Sequence, residues 1–548
     1  MNGHPDTGEF PLGRRARQLF DEGQFDAARE MLESLVQEVP DNPCVRMDLA
    51  AVLHRCGRLR DSTAQLLDVA RFSSLDPQLV IQLARGLLSG GEVVVARSCL
   101  DSLEGLAALS VPILAEQAHL RWMMRDIPAA RRMIDRAVAA GADSAREYHL
   151  QAMLMQFAGE LDAAAGILST CLQRWPAFGD AALAQANLRR QTPQTQHLDF
   201  LSGQLAQLPA TTRVPAELAN RAAFEAAMFK ELDDLARHDE AWLALARCNA
   251  LMHQIQPYDA AGESAVVDAL IRVSSLLQRP LEPGDSEAQG PQPIFIVGMP
   301  RSGTTLLDRM LSGHSEVTSA GEITDFLRQL RCVTEAFPQG TQGLLRAIEG
   351  STHVDLAALG AGYLAQTQWR AQGRRYFVDK LPTNIRMVAH IRHALPHARI
   401  LHMVRDPMQV CFSNLSMRFG NRSAYSYDQR ALAHYYGQYV RLTRHWRSRM
   451  PDAMLEVSYA ELVREPEATL HKVLGYCGLA AEDACFHPER NTAPVATPSS
   501  GQVREPVHTR GLGRWHCYAQ HLQVLREAVS DVEYPAAGVK ARPLSAPN

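Results

Sequence analysis

PIFIVGMPRSGTTLLDRMLSGH, residues 293–314, passes from an apolar, β-branched run through a loop bounded by Gly298 and Gly303 into apolar residues at helical spacing. That order predicts strand, loop, helix. The G-x4-G spacing is that of a phosphate-binding loop, in which successive backbone N–H groups and a helix N-terminus face an anion. Thr304 stands where a nucleoside triphosphatase carries its lysine, while Arg301 inside the loop offers another cation. A cradle without that lysine points to phosphate binding without ordinary γ-phosphate transfer, and argues against a kinase.

Farther along the chain, RYFVDK, ARILHMV and AMLEVSY read as further strands separated by helical segments, so this half is α/β with a mostly parallel sheet. Ligands in such sheets sit beyond the carboxyl ends of the strands. Arg405 and Asp406 follow the second of these strands, and Ser413 lies in the next predicted helix. A guanidinium fork and a hydroxyl both donate to phosphate oxygens. Lys380 ends RYFVDK, a rare placement, since Lys230, Lys380, Lys472 and Lys540 are the only lysines and the other 52 cations are arginines.

The N-terminal half repeats itself with a period of 34 residues. Gly23, Gly57, Gly91 and Gly159 share one phase, and Arg125 occupies the remaining place. Small residues follow at Ala28, Ser62, Ala96, Ala130 and Ala164, then aliphatic ones at Leu32, Leu66, Leu100, Ile134 and Leu168. Pro40 and Pro176 hold one later position, and Ala236, Ala241 and Leu245 mark a sixth, off-register copy. Each repeat is read as two antiparallel helices: glycine for the tight turn, the small residue for close approach, the aliphatic one for the core.

The chain has 548 residues, 46% hydrophobic and 21% charged, with a net charge of −4, which fits two or three globular units and excludes disordered, fibrous and wholly basic classes. The balance is uneven: −11 over residues 1–292 and +7 over 293–548. The reading divides the chain into a repeat array at 10–255, a helical extension and linker at 256–292, an α/β domain at 293–535 and a loose tail at 536–548. Ten scattered cysteines without metal spacing read as reduced thiols, and no apolar stretch has the length of a signal or membrane segment. A soluble, cytoplasmic protein is expected, with no nucleic-acid partner.

Two family resemblances follow. The 34-residue pattern resembles a tetratricopeptide-repeat array, although that family's Trp and Tyr positions are mostly absent. GMPRSGTT followed by GHSEV and AGE resembles the 5′-phosphosulfate loop of sulfotransferases, and SSGQVREPVHTRGLGRW resembles a late segment of protein-tyrosine sulfotransferases. The implied fold is an α-helical tetratricopeptide-repeat solenoid followed by an α/β P-loop-like sulfotransferase domain. The implied donor is 3′-phosphoadenosine 5′-phosphosulfate, with no metal. By the likeness, Arg301, Ser302, Gly303, Thr304 and Thr305 hold the 5′-phosphosulfate, Arg405, Ser413 and Arg514 the 3′-phosphate, and Ser499 reaches the sulfate. Tyr459, in EVSYAELVREPEATL, lies near the adenine by resemblance; a core aromatic beneath a strand end is the other reading.

Sulfuryl transfer moves a trigonal SO3 group in line from phosphate to an acceptor oxygen, so it needs positioning, charge stabilisation and a base. A phenol with pKa about 10 is easier to deprotonate than an alkyl alcohol. The resemblance makes Glu322, in SAGEITDF, the base and Lys380 the group that stabilises charge; an ion pair with Asp379 is the other reading of Lys380. His314 is the rival base, with helix capping or packing as its alternative. The expected acceptor is a tyrosine of a protein or peptide presented by the repeats, with carbohydrate or small-molecule hydroxyls and a non-catalytic nucleotide-binding scaffold as alternatives. Asp325 and Glu505 depart from the tyrosine enzymes, which carry an arginine and a lysine there.

Overall fold

The computed structural model describes residues 6–72, 75–106, 108–209, 211–277, 290–420, 423–497, 500, 502–530 and 532; for residue 502 only the backbone is described. The linker at 278–289, Ser499 and the tail from 533 lie outside the described residues.

The helix pairs of the repeat half are Pro11–Asp21 with Phe25–Glu38, Pro43–Arg55 with Leu59–Val69, Pro77–Gly90 with Val93–Asp101, Val111–Met123 with Ile127–Ala139, and Ala145–Ala158 with Leu161–Arg174. Their turns reverse through a left-handed residue: φ is 77° at Gly23 and Gly57, 91° at Gly91 and 90° at Gly159. Arg125 takes the same conformation with φ 64°, and Ala236 with φ 58°, so these two turns form without glycine. Ala28, Ala96, Ala130 and Ala164 are fully buried, and Ser62 satisfies its hydroxyl by donating to Ala50 O at 2.7 Å. Longer helices follow at Pro215–Asp234, His238–Ile255 and Ala260–Ser274. Among the described residues, no helix is long and apolar enough to cross a membrane.

The second half is built on five strands: β1 (Gln292–Gly298), β2 (Val317–Gly321), β3 (Tyr376–Asp379), β4 (Arg399–Val404) and β5 (Leu455–Ser458), in the order β2-β3-β1-β4-β5. Every pairing among them is parallel. β1 is buried along its whole length, as a central strand covered on both faces requires. Its alternate residues serve two cores. Ile294 and Ile296 pack with Leu307, Met310 and Leu311 of the helix Thr304–Leu311, whereas Phe295 and Val297 join a core continuous with the last helices of the repeat half.

The two halves meet along the row of repeat turns. Beside Gly57, His54 packs edge-on against Phe337 at 5.4 Å. Gly91 O accepts from Gln329 Nε2 at 3.0 Å, and Arg125 Nε donates to Glu322 O at 3.1 Å. Close to Gly159, Phe157 O accepts from Arg504 Nη2 at 2.8 Å and from Val495 N at 2.9 Å. The 34-residue period thus places one turn after another along the α/β half.

Candidate functional site

The loop after β1 is shaped by its glycines. Gly298 has φ 148°, and a Cβ there would sit 2.6 Å from Met403 O on the paired strand β4. Gly303 has φ 105°, caps the helix Thr304–Leu311, and has no room for a Cβ because the Tyr459 ring fills that space. No side chain caps this helix, which leaves its first N–H groups available to an anion. Arg301 takes φ 68°, and the Ser302 hydroxyl, in a residue 1% exposed, has no hydrogen-bond partner among the described residues. Thr304 and Thr305 are buried in the first turn. A loop of N–H donors with an unsatisfied buried hydroxyl fits a phosphate or sulfate group.

Three arginines converge beside the loop. Arg405, one residue past β4, donates from Nη1 to Arg301 O at 2.9 Å and from Nη2 to Gly511 O at 2.7 Å. Its Cζ lies 4.4 Å from the Tyr459 ring centroid, a cation–π contact. Burial, reinforced by the like charges of Arg405 and Arg514, pulls Arg301 down to about 10. Burial likewise lowers Arg405, with Arg514 acting in the same direction. Mutually repelling cations in a cleft are costly until a multiply charged anion joins them. Arg514 itself pairs with Asp233 of the repeat half.

Glu322 and Lys380 each stand one residue beyond a strand end, on neighbours β2 and β3, and Lys380 Nζ donates to Glu322 Oε1 at 2.6 Å. Lys380 is fully buried, whereas the Glu322 side chain is 30% exposed. Burial pulls Glu322 upward, but Lys380, Arg125 and Arg301 outweigh it and hold the carboxyl below its usual range. Lys380 does not pair with Asp379. That neighbour's carboxyl accepts from Tyr363 OH at 2.9 Å and Asn384 Nδ2 at 3.2 Å in the core.

His314 is buried away from this cluster, donating from Nε2 to Ala480 O at 3.0 Å and accepting at Nδ1 from Glu316 N at 3.0 Å, which is a packing role. Ser413 is partly buried in the helix Pro407–Leu415. Its neighbour Asn414, missed in the sequence, donates from Nδ2 to Pro300 O at 2.8 Å and ties that helix to the loop. Ser499 lies outside the described residues; the adjacent Ser500 is buried and accepts from Gln156 Nε2 of the repeat half at 3.1 Å. Asp325 is buried against Arg370 at 3.7 Å.

Two more residues escaped the sequence reading. Asp308 accepts from Ser319 Oγ at 2.9 Å, and burial, countered mainly by Lys380, pushes it up to about 6. Its visible signal was only a carboxylate inside an apolar helix. Arg125 was visible as a cation in a glycine position, but its contact with Glu322 was not.

Residues 293–483 match the sulfotransferase family, and residues 19–85 match the tetratricopeptide repeat. Over 389 residues the chain is 26% identical to an uncharacterised protein of Aquifex aeolicus (strain VF5), covering 69% of this chain and 50% of that one. It is 27% identical over 239 residues to protein-tyrosine sulfotransferase 2 of Gallus gallus, covering 40% of this chain and 62% of that one. The matched regions therefore span less than two thirds of either relative. A solved sulfotransferase domain from the curacin biosynthetic pathway aligns at 17% identity over 43% of this chain and 98% of its own, with a TM-score of 0.28.

Proposed function

We propose, from a chain that joins tetratricopeptide repeats to a sulfotransferase-family domain, that the protein moves a sulfuryl group from 3′-phosphoadenosine 5′-phosphosulfate to an acceptor hydroxyl, foremost a tyrosine of a protein or peptide. The observation that carries this reading is the convergence of the uncapped phosphate loop and three arginines with the Glu322–Lys380 pair. When bound, the donor supplies an SO3 group with a phosphate leaving oxygen. Arg301, Ser302, Gly303, Thr304 and Thr305 would hold its 5′-phosphosulfate, Arg405, Ser413 and Arg514 its 3′-phosphate, and Tyr459 would lie near its adenine.

In the chain's own chemistry, Glu322 accepts the acceptor's proton; its lowered pKa keeps it ionised at neutral pH. Lys380, anchored by its backbone N–H to Gly321 O at 3.0 Å, places a buried positive charge where negative charge develops. Ser499 is assigned to the sulfate by resemblance alone. Tyrosine as acceptor is supported by the likeness to the Gallus gallus enzyme. A carbohydrate or small-molecule hydroxyl is the second reading, favoured by Asp325, an acidic residue paired with Arg370, standing where the tyrosine enzymes carry an arginine. The repeat turns are engaged by the α/β half, so a peptide presented by the array would lie on its other surfaces. All ten cysteines are free thiols, which suits the proposed cytoplasmic location.

Calorimetry with adenosine 3′,5′-bisphosphate, followed by incubation of a peptide and metabolite library with labelled donor, tests the reading. Nucleotide binding and label on tyrosine peptides are expected. Folded protein that binds no nucleotide overturns the donor; label only on sugars or metabolites overturns the tyrosine acceptor.

A further inference from the structure

Gly57, Gly91 and Gly159 hold the left-handed turn position of their repeats, and Arg125 holds it in the copy between Gly91 and Gly159, with φ 64°. A long side chain strains this conformation and glycine does not, so the turn alone gives no reason for arginine. The reason lies across the interface: Arg125 Nε donates to Glu322 O at 3.1 Å. We propose that Arg125 is a positioning residue of the active site, supplied by the repeat array, which holds the Glu322 segment in register for proton abstraction. The inference rests on the sulfotransferase reading and on Glu322 as the base.

Both partners of this contact are fixed from behind. Arg125 N bonds Trp122 O at 2.9 Å and Asp126 N bonds Arg121 O at 2.9 Å, which closes the turn, and the buried Arg121 pairs with Asp101, Glu104 and Asp126. Arg370 donates to Met124 O at 3.1 Å and lies 3.7 Å from Asp325, so a second arginine ties the same turn to the helix that follows Glu322. Lys380 holds the same segment from the sheet, through Nζ to Glu322 Oε1 at 2.6 Å and N to Gly321 O at 3.0 Å, and the two arginines add a hold from the repeat array. The segment joins β2 to the helix Asp325–Val333, and its internal backbone bond is Ile323 N to Gly321 O at 3.2 Å. The guanidinium also acts on charge. The groups facing Glu322 are Lys380, Arg125 and Arg301, which favour its ionised form, and Asp308, which opposes it.

Arg125→Gly separates this role from a structural one, because it restores the residue found in the other turns. The variant is expected to melt no lower than the parent, to bind adenosine 3′,5′-bisphosphate equally well, and to lose roughly ten- to a hundredfold in kcat. The acid limb of its pH–rate profile should move to higher pH, since one of the cations favouring ionised Glu322 is gone. Arg125→Lys should return the limb toward its original place while recovering only part of kcat. Unchanged kcat with an unchanged limb overturns the proposal, as does a fall in melting temperature that accompanies every other loss. If the parent transfers no sulfuryl group to any acceptor, the function proposed above fails instead. Hydrogen exchange then reads the contact by itself: amides 322–324 should exchange faster in Arg125→Gly, and equal rates overturn it.

Discussion

Lys380 Nζ and Glu322 Oε1 stand 2.6 Å apart, and each residue is the first beyond the carboxyl end of its strand, on neighbours whose last residues, Asp379 and Gly321, are in register. The sheet therefore sets the pair. Replacing Glu322 by Gln keeps the shape and removes the basic oxygen. A loss of roughly 10²–10⁴ in kcat with retained nucleotide binding is expected, read from single-turnover transfer and calorimetry.

The same pair determines the pH response. Glu322 titrates below the usual 4.5 because Lys380, Arg125 and Arg301 overcome the upward pull of burial. As the proposed base, Glu322 must be ionised, so kcat/KM should fall only as pH drops through a value below 4.5, and stay level above it until other groups titrate. In Lys380→Met the largest opposing charge is lost while burial remains, so the limb should shift upward. A limb unmoved by that change would separate Lys380 from Glu322 in function.

Arg405 spans Arg301 O, Gly511 O and the Tyr459 ring. Arg405→Ala removes three hydrogen bonds from a charged donor, the third from Nε to Gln409 Oε1 at 3.4 Å, and one of the cations of the cleft. Nucleotide affinity should weaken roughly 10- to 100-fold, and the remaining affinity should depend less on salt. Calorimetry across a salt series measures both.

Gly303→Ala should be far worse than Gly141→Ala, although both positions have positive φ, 105° and 94°. At Gly141 nothing lies within 4 Å of an added Cβ, so the cost is that of the backbone conformation, about 1–2 kcal/mol. At Gly303 the added carbon meets the Tyr459 ring, and Met403 Cε lies 3.3 Å away. Thermal melts and nucleotide titration should show Gly303→Ala losing both stability and binding, and Gly141→Ala losing stability alone.

The strand, loop and helix at 292–311, four of the five strands and the repeat turns were legible because each is a local pattern of a few residues. β2 was not. Its sequence, VTSAG, is short, small and partly polar, and it becomes a strand by pairing with β3. The partner of Lys380 was hidden for a related reason. Asp379 is its neighbour in sequence, but successive residues of extended chain point to opposite sides, which sends Asp379 into the core and Lys380 to the strand ends. Arg125 and Glu322 are 197 residues apart, and the contact exists only after two separately coded halves have docked.

That docking turns the repeat period into a ruler. Turns 57, 91, 125 and 159 are spaced against Phe337, Gln329, Glu322 and Arg504, whereas Gly23 has nothing within 4 Å of an added Cβ. A copy inserted between Gly91 and Gly159 would carry Arg125 away from Glu322 and the strand ends. The number of repeats between those turns is thus tied to the α/β half that docks on them.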